Sequence, residues 1–341
     1  VLAGLRNAQS GLAPTDPRNA AVQAVSAAVY ELQGQTQRSA EGYRAAVKAD
    51  PKNVEALRGL ARLSIQSGKA NEAGQWLAKA EQAGGDQNAL DIDRAAYAMA
   101  IGDLEGARKT LGRYTKNNQD SAAGWAMLGM LEIEQGNLDR ATGFIAQQLL
   151  RTAKGRDLYF LHVLHGRLAQ AEAQKADAEA ARTDRSDTVR NDAAKLAQTK
   201  WYEARNHYRR AYALRPNVRG LLEIMLDFNR RLGEKADAEA DALAILREDA
   251  RHPFANFIVG SQRLEDGHVE AAIKYFRVAV DGEGAPSVEL VNNYADALAR
   301  TPNTKLAKEM GLRAVTLAKD SYGTWGTYAL TLARGGEAEK A

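Results

Sequence analysis

The 341-residue chain contains no cysteine. Disulfides, thiolate metal sites and a cysteine nucleophile are thereby excluded. Proline is scarce, with seven residues, which leaves room for long uninterrupted helices. Aromatics make up only 6% of a chain that is 45% apolar, and much of the apolar content is alanine, the strongest helix former. Neither sign of charge dominates: 46 basic and 43 acidic residues leave a net charge of +3. Such near-balance argues against a broad nucleic-acid surface. No apolar run approaches the ~18 residues a membrane-spanning helix needs. The first residue is Val1 and not Met, so the chain reads as a segment of a longer one, with room for a signal peptide upstream.

Motifs for chemistry are missing as well. There is no His-Glu-x-x-His, no phosphate-binding Gly-x4-Gly-Lys-Ser/Thr and no nucleophile elbow. His162 and His165 stand at i, i+3, but no third ligand follows at metal spacing, and His207, His252 and His268 read as isolated. The carboxylate pairs Glu132/Glu134 and Asp237/Glu239 read as solvated helix faces. The expectation is no catalytic residue, no metal and no cofactor.

What the sequence does contain is a beat. Gly34, Gly68, Gly102 and Gly136 are spaced 34 apart, the interval recurs between Gly233 and Gly267, and Gly335 falls two intervals later. Glycine suits a helix end that must adopt positive φ. Pro17 and Pro51 share the interval, each in an Asp-Pro-Arg/Lys-Asn phrase that marks a joint between repeats. Small residues keep time with the glycines: Ala73, Ala107, Ala141, Ala238 and Ala272 at one position, and Ala46, Ala80, Ala211, Ala279 and Ala314 at a second. Between them comes a large residue, Tyr43, Leu77, Leu111, Ile145, Tyr208 or Phe276, on the same helical face. The fullest statement is Trp125-Ala126-Met127-Leu128-Gly129, followed by Gly136 and Ala141.

Trp-x2-Leu-Gly, a turn glycine and a small residue at this period resemble the tetratricopeptide repeat. The resemblance runs along nearly the whole chain. It implies an all-α fold, a right-handed α-α superhelix of about eight to nine helix-turn-helix repeats. The expected organisation is the end of a preceding repeat at 1–19, four repeats over 20–154, a fifth over 155–216, and repeats six to nine over 217–341, the last truncated. From Gly136 to Gly233 the spacing exceeds the period by about 29 residues. The excess, about 169–200, is Ala/Gln/Lys/Glu-rich and predicts two helices extended into a projecting hairpin, turning near Ser186. Its expected seam sets Leu161, Leu164, Leu168, Ala171 and Ala178 against Val189, Ala193, Leu196 and Ala204.

The resemblance also implies a role. First helices of such repeats line an inner groove that holds a protein or peptide, here with Arg58, Arg62, Met99, Met130, Glu134, Phe254, Phe257 and Asn292 as candidate lining residues. The Lys/Asn clamp of some co-chaperone members is not reproduced, since those sites carry Ala24/Ala28, Arg58/Arg62, Ile92/Ala96 and Ala126/Met130. Arg58 and Arg62, one turn apart, suit an acidic segment. The expectation is a non-enzymatic scaffold, with a second contact through the hairpin near Ser186 and no nucleic-acid partner. The Ala-rich divergent repeats resemble those of bacterial envelope proteins in exopolysaccharide export, pilus or secretion assemblies, which implies a periplasmic or outer-membrane-associated place. The alternatives are a regulatory arm of a larger enzyme such as a glycosyltransferase, and a cytosolic adaptor.

Overall fold

A computed structural model describes Gly4 and residues 16–216, 218–282 and 285–341. The described residues form helices and no strand. They divide into two compact units, residues 1–221 and 222–341. The remnant of an earlier repeat expected at 1–19 lies mostly outside the described residues.

In the first unit the helices come in hairpin pairs. They are α1 (Pro17–Leu32) with α2 (Thr36–Ala49), α3 (Val54–Gln66) with α4 (Ala70–Gln82), and α5 (Gln87–Ala100) with α6 (Leu104–Asn117). α7 (Ala122–Glu134) pairs with α8, which is α-helical over Leu138–Arg140, π-helical over Ala141–Ile145 and α-helical again over Ala146–Thr152. α9 (Leu158–Ala180) pairs with α10 (Asp187–Leu214). α11 (Arg219–Leu232) leads into the second unit, where α12 (Lys235–Glu248), α13 (Pro253–Glu265), α14 (Val269–Gly282), α15 (Val288–Ala299), α16 (Thr304–Leu317) and α17 (Tyr322–Arg334) follow.

Local chemistry sets the ends. Asp16, Asn53, Asp86, Asp103, Ser121, Ser186, Ser287 and Ser321 each cap a helix by accepting a backbone N–H in its first turn. The turns between paired helices fall on left-handed glycines: Gly34, Gly68, Gly102, Gly136, Gly233 and Gly267 all have φ between 69° and 80°. In the last turn the left-handed residue is Gly336 and not Gly335, because α17, at 13 residues as long as α13, starts one residue later in the period. Where Pro302 replaces glycine, no left-handed residue is used. Thr301 instead bonds back to the Leu298 carbonyl and accepts the Asn303 N–H.

The small and large positions of the beat form the core. Ala46, Ala73, Ala80, Ala107, Ala141, Ala211, Ala272, Ala279 and Ala314 are fully buried, and Tyr43, Leu77, Leu111, Tyr208 and Phe276 fill the space between helices. The side chain of Ile145 is outside the described residues. Close crossing demands glycine at selected sites. A Cβ on Gly59 would fall 2.3 Å from the Tyr43 ring, and one on Gly260 would fall 2.8 Å from the Phe276 ring.

α9 and α10 have 23 and 28 residues, against 12 to 16 in the other unbroken helices. At about 1.5 Å per residue, α10 is roughly 42 Å long. They pack along their length as a hairpin, with residues 181–189 exposed at the tip. The seam differs from the expected one. Ala197, Trp201, Ala204, Tyr208 and Ala211 are buried, whereas Val189 and Leu196 are exposed and so is Ala178. Trp201 offers the largest apolar area on α10, and it lies about 140° round the helix from Leu196. Its indole N–H donates to Asp177 at 2.9 Å, which fixes the register. Leu161, Leu164 and Leu168 are buried, but they join a cluster with Trp125, Ala141 and Leu149 of the preceding pair.

Candidate functional site

The candidate residues of the first unit lie on α3, α5 and α7. Arg58 donates to Asp93 at 2.5 Å and pairs with Glu55 at 3.1 Å. Arg62 donates to both oxygens of Glu31, at 3.2 and 3.1 Å, and to the Tyr43 hydroxyl at 3.3 Å, while that hydroxyl donates to Glu31 at 2.7 Å. Each guanidinium therefore bonds carboxylates from the neighbouring repeat. Burial pushes the Asp93 carboxyl above the usual range, and Arg58 pulls part of that back. Burial and the Glu31 charge together hold the Tyr43 phenol well above its usual value. Met99 packs half-buried on a cluster of Ala95, Ala107, Leu111 and Leu131, and Met130 on that of Trp125 and Leu161. Glu134 is exposed.

Glu132 departs from the expected solvated face. It is fully buried, 3.0 Å from Arg108, and accepts from Asn137 at 2.8 Å. A carboxylate so placed binds α6, α7 and the following turn together. Arg140 lies 3.6 Å from its other oxygen, and these charged and polar partners together offset the cost of burial.

His207 is not isolated. Its Nδ1 lies 3.2 Å from His162 Nδ1, and its ring stacks on His165 with centroids 5.1 Å apart. The three rings meet where α9 and α10 cross. Burial first, then the neighbouring histidines, pushes His207 down to about 4. Burial also lowers His162 and His165, with Arg210 adding to the effect at His162 and Glu203 opposing it at His165. Among the described residues no three His, Cys, Asp or Glu side chains are grouped to hold a metal ion.

In the second unit Phe254, Phe257 and Asn292 come from α13 and α15. Phe257 is buried and belongs to an aromatic stack, 6.4 Å from Phe276, which lies 6.2 Å from Tyr294. Phe254 is half-buried, 6.5 Å from Phe257, and the Arg230 guanidinium of α11 lies 5.9 Å from its ring. The same guanidinium lies 3.6 Å from Glu289 at the start of α15. A side chain of α11 thus reaches α15 past α13, so three successive first helices share one inner face. Asn292 is half-buried, and its Oδ1 is shut from solvent with no hydrogen-bond partner. Its neighbour Asn293 donates to Ser261 at 3.5 Å. A cleft of about 160 Å³ opens between Asn229, Arg230, Lys235, Phe257, Ser261 and Glu289.

Sequence reasoning missed Arg230, Glu289 and Ser261 as members of this face. The signal was present for Ser261, four residues after Phe257 and so one turn along the same stripe.

Two family models, both described as tetratricopeptide repeat, match residues 30–91 and 92–154. No curated protein sequence matches the chain. Among solved structures, the human IFIT1 dimer with m7Gppp-AAAA is similar at 14% identity and a TM-score of 0.55, over 89% of this chain and 65% of that one. The Cut9–Hcn1 hetero-tetramer of the APC/C is similar at 11% identity and a TM-score of 0.57, over 91% of this chain and 55% of that one. The chain therefore spans less than two thirds of the length of either relative. Residues 30–154 are tetratricopeptide repeats, and the helices that follow them share the helical-repeat fold.

Proposed function

We propose that the protein is a non-enzymatic scaffold that holds a partner polypeptide on the inner faces of its first helices, within an assembly of the bacterial envelope. Tetratricopeptide repeats generally mediate protein–protein interaction. The observation that carries the reading is the face shared by α11, α13 and α15, where the ring of half-buried Phe254 lies 5.9 Å from the Arg230 guanidinium and that guanidinium 3.6 Å from the Glu289 carboxylate. An aromatic platform with a nearby acceptor suits an extended or helical segment of protein. Met99, Met130 and Glu134 supply the corresponding surface in the first unit, with Arg58 and Arg62 bracing it from within. The divergent, alanine-rich repeats support the envelope setting through their resemblance to scaffolds of polysaccharide export, pilus and secretion machines. The m7Gppp-AAAA of the human IFIT1 structure is not carried over, because acidic side chains outnumber basic ones in residues 222–341.

The test is a photo-crosslinking residue at position 254 of the full-length protein in its native cell, with exposed position 312 on α16 as a control. A crosslink from 254 to a protein of the envelope fraction is the expected result. Crosslinks only to nucleic acid, or none from 254 while 312 reacts, would overturn the scaffold reading. A cytosolic enzyme or cytosolic protein as the captured partner would overturn the envelope setting.

A further inference from the structure

The inner face of the second unit holds a cation of its own, and holds it loosely. The Arg230 guanidinium lies 3.8 Å from Asp227, 3.6 Å from Glu289 and 5.9 Å from the Phe254 ring. Two carboxylates and an aromatic face surround one guanidinium, yet neither carboxylate is within close hydrogen-bond distance. The three side chains of the ion pairs are each about half-exposed, at 45%, 48% and 60%. Contrast Arg58, clamped at 2.5 Å on a carboxylate that is 2% exposed. The first arrangement exchanges its cation readily, and the second is part of the fold.

The surroundings favour the same sign of ligand. Glu223, one turn before Asp227 on α11, is half-exposed and 3.5 Å from His252, whereas Asp296, one turn beyond Asn292 on α15, is already paired with Arg300 at 2.7 Å. The Asn292 carbonyl needs a donor and has none. The half-exposed carboxylates of Glu223, Asp227 and Glu289 thus give the face from α11 to α15 its negative charge. The unit as a whole is net acidic, although the complete chain is net basic.

We infer that this face binds a basic segment of a partner protein, and that Arg230 occupies a cation slot from which a partner lysine or arginine displaces it. The inference rests on the reading of this face as a partner site. A cation over the Phe254 ring gains from the ring's negative face, and Asp227 and Glu289 hold it from the sides. Arg230 then acts as a gate on affinity, since it must swing out before the slot is filled.

Three short fluorescein-labelled peptides test this against the full chain by anisotropy: one rich in lysine and arginine, its glutamate counterpart, and a neutral serine/glycine one. The basic peptide should bind, and added salt should weaken it. Asp227→Lys with Glu289→Lys should weaken binding by about tenfold or more. Arg230→Ala should tighten it, by roughly threefold to tenfold, because the competing cation is gone. An arginine that merely braces the helices would give no such gain. Preference for the glutamate peptide, or an Arg230→Ala variant that binds the basic peptide no better, overturns the inference. If the neutral or acidic peptide binds instead and Phe254→Ser abolishes that binding, the face remains a partner site and only the basic partner is rejected. If no peptide binds, or Phe254→Ser changes nothing, both readings fall. Circular dichroism melts of each variant confirm that the fold is intact.

Discussion

At the scale of single residues, clearance and pairing decide most outcomes. Gly260→Ala would drive a methyl group into the Phe276 ring, which is fully buried and cannot retreat. The expected loss is about 1–3 kcal/mol, read as a lower urea midpoint at unchanged slope. Gly112→Ala, where an added Cβ meets nothing, should instead be neutral or slightly stabilising. Which glycines turn the chain was legible in the sequence, because a left-handed turn leaves a fixed interval behind it. Which ones give clearance was not, since Gly59 and Gly260 are identified only by the rings that cross them. The same holds for charge. Asp93 and Glu31 stand 35 and 31 residues from Arg58 and Arg62, close to one repeat, so a search for opposite charges one period away would have found both pairs. Glu132 escapes such a search. Its partner Arg108 is 24 residues back, on the second helix of the preceding pair.

At the scale of the element, the long hairpin of α9 and α10 is where composition and structure diverge. Its existence followed from a surplus of residues over the period. Its register did not, because an alanine-rich stretch offers several similar stripes and one tryptophan chose among them. The histidine cluster followed from that register. His162 and His207 are 45 residues apart, and only the length of the hairpin brings them opposite each other. This makes the hairpin acid-sensitive. His207 titrates near 4 in the fold against 6.5 when free, so the unfolded chain takes up the proton first. The stabilisation is complete above about pH 6.5 and is lost as the pH falls through about 4. The groups that set it are His162 and His165 on α9 and Glu203 and Arg210 on α10. With the cluster half-buried and screened by solvent, the loss should be about 1–2 kcal/mol. Hydrogen exchange of α9 and α10 should therefore quicken between pH 6.5 and 4, after correction for intrinsic rates, and His207→Gln should flatten that dependence. An unchanged profile in the variant would assign the acid sensitivity to other groups. Deletion of residues 171–197 tests the hairpin as a second contact: binding of an identified partner should weaken, and unchanged binding would reject that role.

At the scale of the molecule, repeats pack chiefly on their neighbours, so stability is close to a sum of unit and interface terms. Protection should therefore vary along the chain. Exchange should be fastest at the hairpin tip near Ser186, where residues 181–189 are exposed, and over Trp325 to Ala341, where Tyr322 is 95% exposed and Trp325 half so. Uniform protection from end to end would contradict this. The fold class was the most legible property of all, because each repeat restates the same packing problem and gives the same answer in Gly, Ala and a large residue. The inner surface was the least legible, because nothing in that problem constrains it: Phe254 and Phe257 are neighbours in one stripe, yet one is only half-buried and the other completes a core stack. The placement of tryptophan has a further consequence, in optical terms. Of the four indoles, Trp76, Trp125 and Trp201 belong to the first unit, the latter two buried, and Trp325 belongs to the second and is half in water. Emission from the native chain should therefore combine a blue component from residues 1–221 with a red one from residues 222–341. A soluble quencher should extinguish the red component first. The loss of the blue component in denaturant then times the opening of the first unit without any added label.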